Sequence, residues 1–213
     1  EISYYQYLYP YNNYHVLLEN FKYFKEFGGY YIYPEGTWEN RNNPGFAKLR
    51  DYINSKGMFD VNSDYNELVD KFFRYYFREA APVMRAYFDE IRINLSDNEK
   101  TTGGGIHSYA LSGNKVWTEG MITNWNNSFG KAEEAIAKYA ETDPDLYEAL
   151  KKHITIESLF PRYVLCTTYA RSYSTEQRKE MRKAFIEDFE KLGNTTHQEH
   201  FTISAVTSSW DLT

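Results

Sequence analysis

The sequence predicts a mostly helical protein with a small β part, opening on a strand–helix–strand unit and continuing as a helical C-terminal region. Three observations carry that prediction. Two aromatic, strand-prone runs flank one amphipathic stretch before residue 35; beyond residue 45 apolar residues recur at helical spacing; and polar breaks marked by Gly or Pro separate those stretches. At 213 residues with 42% apolar side chains, the chain is long enough to bury a core. The composition shift near residue 45 gives the boundary, residues 1–45 against residues 46–213.

The first element is ISYYQYLYP, residues 2–10, whose residues favour strands and which ends at a proline followed by the turn residues Tyr11, Asn12 and Asn13. Val16, Leu17, Phe21, Phe24 and Phe27 then recur at helical spacing, and Gly28 stands where a C-cap glycine belongs. YYIYP, residues 30–34, reads as a second strand. A strand, a helix and a strand on short links form a βαβ unit, which implies a right-handed crossover and two parallel strands ending on one rim. Residues 9–13 and 35–38 would share that rim, and ligands of α/β folds bind beyond the carboxyl ends of strands.

Helices follow. Residues 46–56 form a short one, and Asp64 with Glu67 makes a capping box ahead of the stripe Leu68, Val69, Phe72, Phe73 and Tyr76. Pro82 fits the first turn of a continuation or a restart. Residues 96–120 read as a polar loop; helices are expected over 122–141, over 146–173 with a kink at Pro161, and over 175–192, the last capped by Ser174 with Gln177 and stopped by Gly193. Beyond residue 200 a short strand over 201–206 is the one regular element expected.

Charge and cysteine content exclude several function classes. A net charge of -6 with no basic stripe disfavours phosphate backbones, so nucleic acid is not an expected partner, and no apolar run reaches the length of a membrane span. Cys166 is the single cysteine, which rules out an intramolecular disulfide and a thiolate zinc cluster. No cofactor or metal is called for by any motif. Glu1 follows neither an initiator Met nor a signal-like region, and it reads as a cut end. Aromatic residues make up 18% of the chain, and nearly half of its 21 tyrosines precede residue 34. A tyrosine offers a flat apolar face and a hydrogen-bonding tip, which suits hydroxyl-rich ligands, although aromatic residues also favour strands for their own sake.

The candidate substrate-binding residues are Glu35, Trp38, Tyr11 and Asn12. Glu35 follows an apolar strand and precedes Gly36 and Trp38, so the carboxylate and Asn12 could hydrogen-bond sugar hydroxyls while Trp38 and Tyr11 stack on a ring. Catalytic residues are not identifiable. Glycoside hydrolysis needs two facing carboxyls, and this segment supplies Glu35 with Glu39 as a weaker second. TTGGGIH, residues 101–107, lacks the Lys-Ser/Thr pair of a phosphate loop and follows no strand; HQEH, residues 197–200, lacks the helical spacing of a histidine metal pair. No GxSxG elbow occurs. Asn94, Asn126 and Asn194 begin glycosylation sequons, a tripeptide common by chance.

Taken together, residues 21–60 and 68–91 resemble the family known as domain of unknown function 4838, found in bacterial polysaccharide-degrading systems. The resemblance lies in the helix ending Lys-Glu-Phe-Gly, the strand with a glycine-bearing tip, the run from Phe46 to Asp60, and Tyr-Tyr-x-x-x-Ala-Ala-Pro at residues 75–82, with ISAVTSSW at residues 203–210 similar to that family's helical tail. Gly57-Met-Phe-Asp and Phe77-Arg depart from the usual Leu-Leu-Trp-Asp and Tyr-Gly. The resemblance implies a glycosidase-like (β/α)8 barrel of the TIM type, of which residues 1–45 would be the last two strand–helix units and residues 46–213 the helical extension. It implies catalytic carboxylates upstream of Glu1, a carbohydrate partner, and a secreted, periplasmic or cell-surface location in a bacterium. The chain would then be the C-terminal part of a glycoside-hydrolase-like protein, inactive by itself; the alternative is a noncatalytic helical interaction or sugar-binding module. Unpaired strand edges would favour a homo-oligomer.

Overall fold

The computed structural model describes residues 5–37, 40–102, 110–112 and 114–210. Its helices are α1 (Leu17–Glu26), α2 (Ala47–Phe59), α3 (Tyr65–Tyr76), α4 (Ala81–Asp97), α5 (Glu99–Thr102), α6 (Glu119–Ile136), α7 (Tyr139–Thr142), α8 (Pro144–Thr167), α9 (Thr175–Lys191) and α10 (Ser204–Thr207), with a two-stranded antiparallel sheet of β1 (Thr196–Gln198) and β2 (Phe201–Thr202) near the end. The protein is mostly α with a small β part, and no described helix is long and apolar enough to cross a membrane.

The β part lies elsewhere than expected. Residues 5–10 are turn and irregular backbone rather than a strand: Tyr9 N–H closes a turn on Gln6 O, and Tyr7, Leu8 and Tyr9 are all buried in succession, whereas a strand on a one-faced sheet would alternate. Residues 30–34 form no strand either. Tyr30, Tyr31 and Tyr33 stand in solvent, and Ile32 alone in that run packs on the core. Strand propensity describes a fit to a pleated, half-buried surface, and no described neighbour offers one here. The expected parallel βαβ pairing is therefore not formed among the described residues, and residues 2–4 of the first expected strand lie outside them. Between the two segments the helix does form, as a 3-10 turn at Tyr14–Val16 running into α1, and Gly28 ends it at φ 78°.

The helical boundaries follow from caps. Asp64 Oδ1 accepts the Glu67 N–H at 2.8 Å, and α4 restarts with Pro82 in its first turn. Ser174 and Gln177 form the reciprocal capping box of α9, and Gly193 follows it at φ 75°. The expected loop over residues 96–120 is partly helical, because α4 runs to Asp97 and α5 follows; residues 103–109 of the Gly-rich stretch lie outside the described residues.

Helix α8 is the axis of the fold, packed between α6 and α9. Pro161 lies within it, so the Glu157 carbonyl one turn earlier has no helical N–H to accept. The Tyr87 hydroxyl on α4 donates to that carbonyl at 3.4 Å. One continuous apolar cluster runs from Leu8 and Tyr14 through Phe46, Phe73 and Phe88 to Trp117, Phe160 and Phe185, so packing crosses residue 45 without a break.

Candidate functional site

The site is built around the turn that leads into α2. Gly45 and Phe46 are both left-handed, at φ 72° and 52°. A Cβ on residue 45 would lie 2.8 Å from Pro10 Cα, a backbone atom that cannot step aside, so glycine is required there. Phe46 accepts a conformation that costs an ordinary residue roughly 1–2 kcal/mol because its ring is fully buried against Phe73, Phe77, Tyr87 and Phe88.

Polar groups lock the turn from below. Phe46 N–H donates to Glu157 Oε2 at 2.9 Å, the Tyr14 hydroxyl donates to Gly45 O, and Arg50 donates through Nη2 to Gly45 O at 3.1 Å and through Nη1 to Tyr11 O at 3.0 Å. Burial pushes the Glu157 carboxyl up to about 8, against the opposing pull of the Phe46 N–H, the Arg50 charge and the Gly45 N–H. This carboxyl belongs to a buried residue of α8, inside the helical body.

Above the turn, four asparagines tie the 40–43 loop to the far end of the chain. Asn40 Oδ1 accepts from Thr195 N, Thr196 N and Thr196 Oγ1, and its Nδ2 donates to Thr196 O and Asn43 Oδ1. Asn194 Oδ1 accepts Asn42 N–H while its Nδ2 donates to Asn42 O, and Asn42 Nδ2 donates to Leu192 O. Asn194 is 2% exposed, so its sequon is closed to a glycosyltransferase once the chain has folded.

A cleft of about 340 Å³ opens between this loop and α2, walled by the 34–37 segment on one side and by residues 47–54 on the other. Glu35 lines it, as do Asn43, Lys48, Arg50, Asp51 and Asn54. Three side-chain atoms of that lining are closed to solvent and have no protein hydrogen-bond partner: Asn43 Nδ2, Arg50 Nε and Asn54 Oδ1. Buried polar groups are ordinarily satisfied, so three unmet ones in one wall make this cleft the candidate site. Asp51 Oδ2 is 3.5 Å from Lys48 Nζ at the mouth.

Of the sequence-predicted residues, Glu35 is in the cleft wall. Tyr11 and Asn12 are not in the cleft lining, although Tyr11 O accepts from Arg50, which is. Trp38 and Glu39 lie outside the described residues. His197 Nδ1 is 3.0 Å from Thr202 O within the β1–β2 hairpin, and Cys166 is buried in α8 with its thiol pushed up to about 11 by desolvation. Asn43, Arg50 and Asn54 were not singled out from sequence. The signal available was the Asn-rich run before Pro44-Gly45, which reads as a turn until its amides are seen to be buried.

Beside the cleft lies a second, aromatic groove of about 580 Å³, lined among others by Phe21, Lys25, Tyr30, Tyr31, Met58 and Phe59. One segment joins the two, since residues 30–32 line the groove and residues 34–37 the cleft.

Comparison with known proteins gives one finding: residues 1–89 match the model of a family described as Domain of unknown function (DUF4838). No curated protein and no solved structure matches the chain.

Proposed function

We propose, for a chain whose residues 1–89 belong to the DUF4838 family, that it is the C-terminal part of a carbohydrate-active, glycoside-hydrolase-like protein, and that its own share of the activity is to hold a poly- or oligosaccharide. The observation that carries this is the segment 30–37. It presents the rings of Tyr30, Tyr31 and Tyr33 to solvent at 103%, 86% and 76% exposure, then continues as the wall of a cleft dense in amides and charges. Flat amphipathic rings beside converging donors and acceptors suit a ligand that is apolar on its ring faces and hydroxylated at its edges. In the parent protein, residues 2–10 and 30–34 would be the last two strands of a (β/α)8 barrel, their neighbours supplied by upstream chain. Catalytic carboxylates would lie on those upstream strands. A secreted, periplasmic or cell-surface location in a bacterium goes with this reading.

Titration calorimetry with polysaccharide fragments tests it. Tyr31→Ala and Trp38→Ala should each weaken binding several-fold, and heats identical to wild type for both would remove the segment from the site. The purified chain should not turn over aryl glycosides; turnover would overturn the division of labour proposed here.

A second reading, a noncatalytic sugar-binding or interaction module, is favoured by the continuous core shared by the family-matched residues and the helices after them, as a self-standing module would have. The coding sequence upstream of Glu1 separates the two. Six further strand–helix units with paired acidic residues support the glycosidase relative, and an unrelated domain supports the module. Pairing of two copies through the solvent-facing Tyr30, Tyr31 and Tyr33 belongs to the same reading, and light scattering detects it.

A further inference from the structure

We infer that the polar cleft receives a carboxylate, so that its ligand is an acidic saccharide bearing a uronic acid. This rests on the saccharide reading above and names the ligand class for the same site. The floor of the cleft offers two N–H donors, Asn43 Nδ2 and Arg50 Nε, on residues only 3% and 5% exposed, and neither has a protein acceptor. The rest of the Arg50 guanidinium is turned to neutral acceptors, namely Tyr11 O, Gly45 O and, at 3.5 Å, Asn13 Oδ1. Asn43 Oδ1 is already taken by Asn40 Nδ2 at 2.8 Å, which leaves its amide nitrogen as the group to be met. A carboxylate brings two acceptor oxygens to these donors and a negative charge to the cleft side of a guanidinium whose core side faces Glu157, and a hydroxyl next to it donates to Asn54 Oδ1, an unmet acceptor of the wall.

The remaining charges of the cleft are arranged to admit such a group. Arg41 and Lys48 join Arg50 as cations, against the carboxylates of Glu35 and Asp51, and Lys48 Nζ stands 3.5 Å from Asp51. Both anions are on exposed residues at the mouth, while the cation at the floor is buried. Glu157 approaches Arg50 from the core side, but its Oε2 is held by Phe46 N–H. Because the three unmet atoms are closed to solvent, part of the cleft lining has to move aside on binding. Gly36 has open space around it, with no heavy atom within 4 Å of where a Cβ would stand.

The test is calorimetry of the full chain at low salt with three probes: a galacturonic acid trimer, the corresponding galactose trimer, and tartrate as a hydroxy-carboxylate that is not a sugar. The expected result is that the acidic trimer binds at least tenfold tighter than the neutral one. Asn54→Asp, which sets a like charge beside the carboxylate, should then weaken the acidic trimer at least tenfold more than it weakens the neutral one. Should Asn54→Asp lower the thermal midpoint, Lys48→Glu at the rim makes the same charge comparison. Equal binding of the two trimers overturns the carboxylate inference and leaves the saccharide reading standing. Binding of tartrate with neither trimer does the reverse. If no probe binds, both fall, and the cleft holds ordered water only.

Discussion

Asn40 shows how much of this architecture hangs on single polar side chains. Its amide takes part in five hydrogen bonds, three to Thr195 and Thr196 through Oδ1 and two from Nδ2. Alanine there leaves the buried N–H and C=O of Thr196 unmet, each costing about 1–3 kcal/mol, together with the part-buried Thr195 N–H, so Asn40→Ala should destabilise the chain by roughly 3 kcal/mol or more in urea unfolding. A loss below about 1 kcal/mol would mean that water replaces the amide. Glu157 makes a different prediction, about pH. In the folded protein burial holds its proton up to about 8, against an ordinary value of 4.5. Between those limits the folded state binds more protons than the unfolded chain, so the contribution of this group is fully present below 4.5 and is lost as pH rises to about 8. The slope for one proton is about 1.4 kcal/mol per pH unit at most. Glu157→Gln keeps an acceptor for Phe46 N–H and cannot ionise. It should flatten the fall of the urea midpoint across that window, and an unchanged slope would show that Arg50 keeps the carboxylate charged.

Between elements, the contact of α1 with α2 turns on Gly57. A Cβ on that residue would lie 2.6 Å from Phe21 Cδ2 and 2.7 Å from Leu18 Cδ2, so Gly57→Ala trades a helix-propensity gain of about 1 kcal/mol against overpacking of about 1–3 kcal/mol. The expected net effect is a lower thermal midpoint, and a raised midpoint would show that both side chains swing away freely. Elements whose signals are local were legible in the sequence: the Gly28 stop, the Asp64 cap, the restart at Pro82 and the Ser174–Gln177 box each depend on residues within one turn of each other. The two strands were not, because pairing depends on a neighbour that sequence does not display. The Tyr7 N–H finds His197 O, on β1 at the far end of the chain, rather than residues 30–34, and those residues carry strand-forming side chains with no described ladder to join. The site divides the same way. Glu35 stood out beside an aromatic run, whereas Arg50 sits one position past Leu49 on a helix, and no local pattern shows that the Tyr11 and Gly45 carbonyls are brought to its guanidinium by the fold.

Across the whole molecule, the family match ends at residue 89, within α4, yet nothing in the packing ends there. Tyr9 meets Phe160 and Tyr163 of α8 edge-on at 5.5 and 5.9 Å, Tyr87 meets Trp125 and Phe129 of α6, and the ring of His153 stacks on Tyr76 at 3.6 Å. The polar links run the same way, from Asn40 and Asn42 to residues 192–196 and from Phe46 to Glu157. A peptide of residues 1–89 would expose the inner faces of α2, α3 and α4 and leave the Gly45–Phe46 turn without the carboxylate that satisfies it. Its strained backbone and its buried Arg50 would then have to be stabilised by half a core. Such a peptide should therefore show little near-ultraviolet circular dichroism and no protected amides in hydrogen exchange, while the full chain unfolds in a single cooperative transition by both fluorescence and far-ultraviolet signals. Dispersed, protected amide resonances over α2 and α3 in the short peptide would show instead that the family-matched part folds first and by itself, and that the helices after it are added to a finished unit.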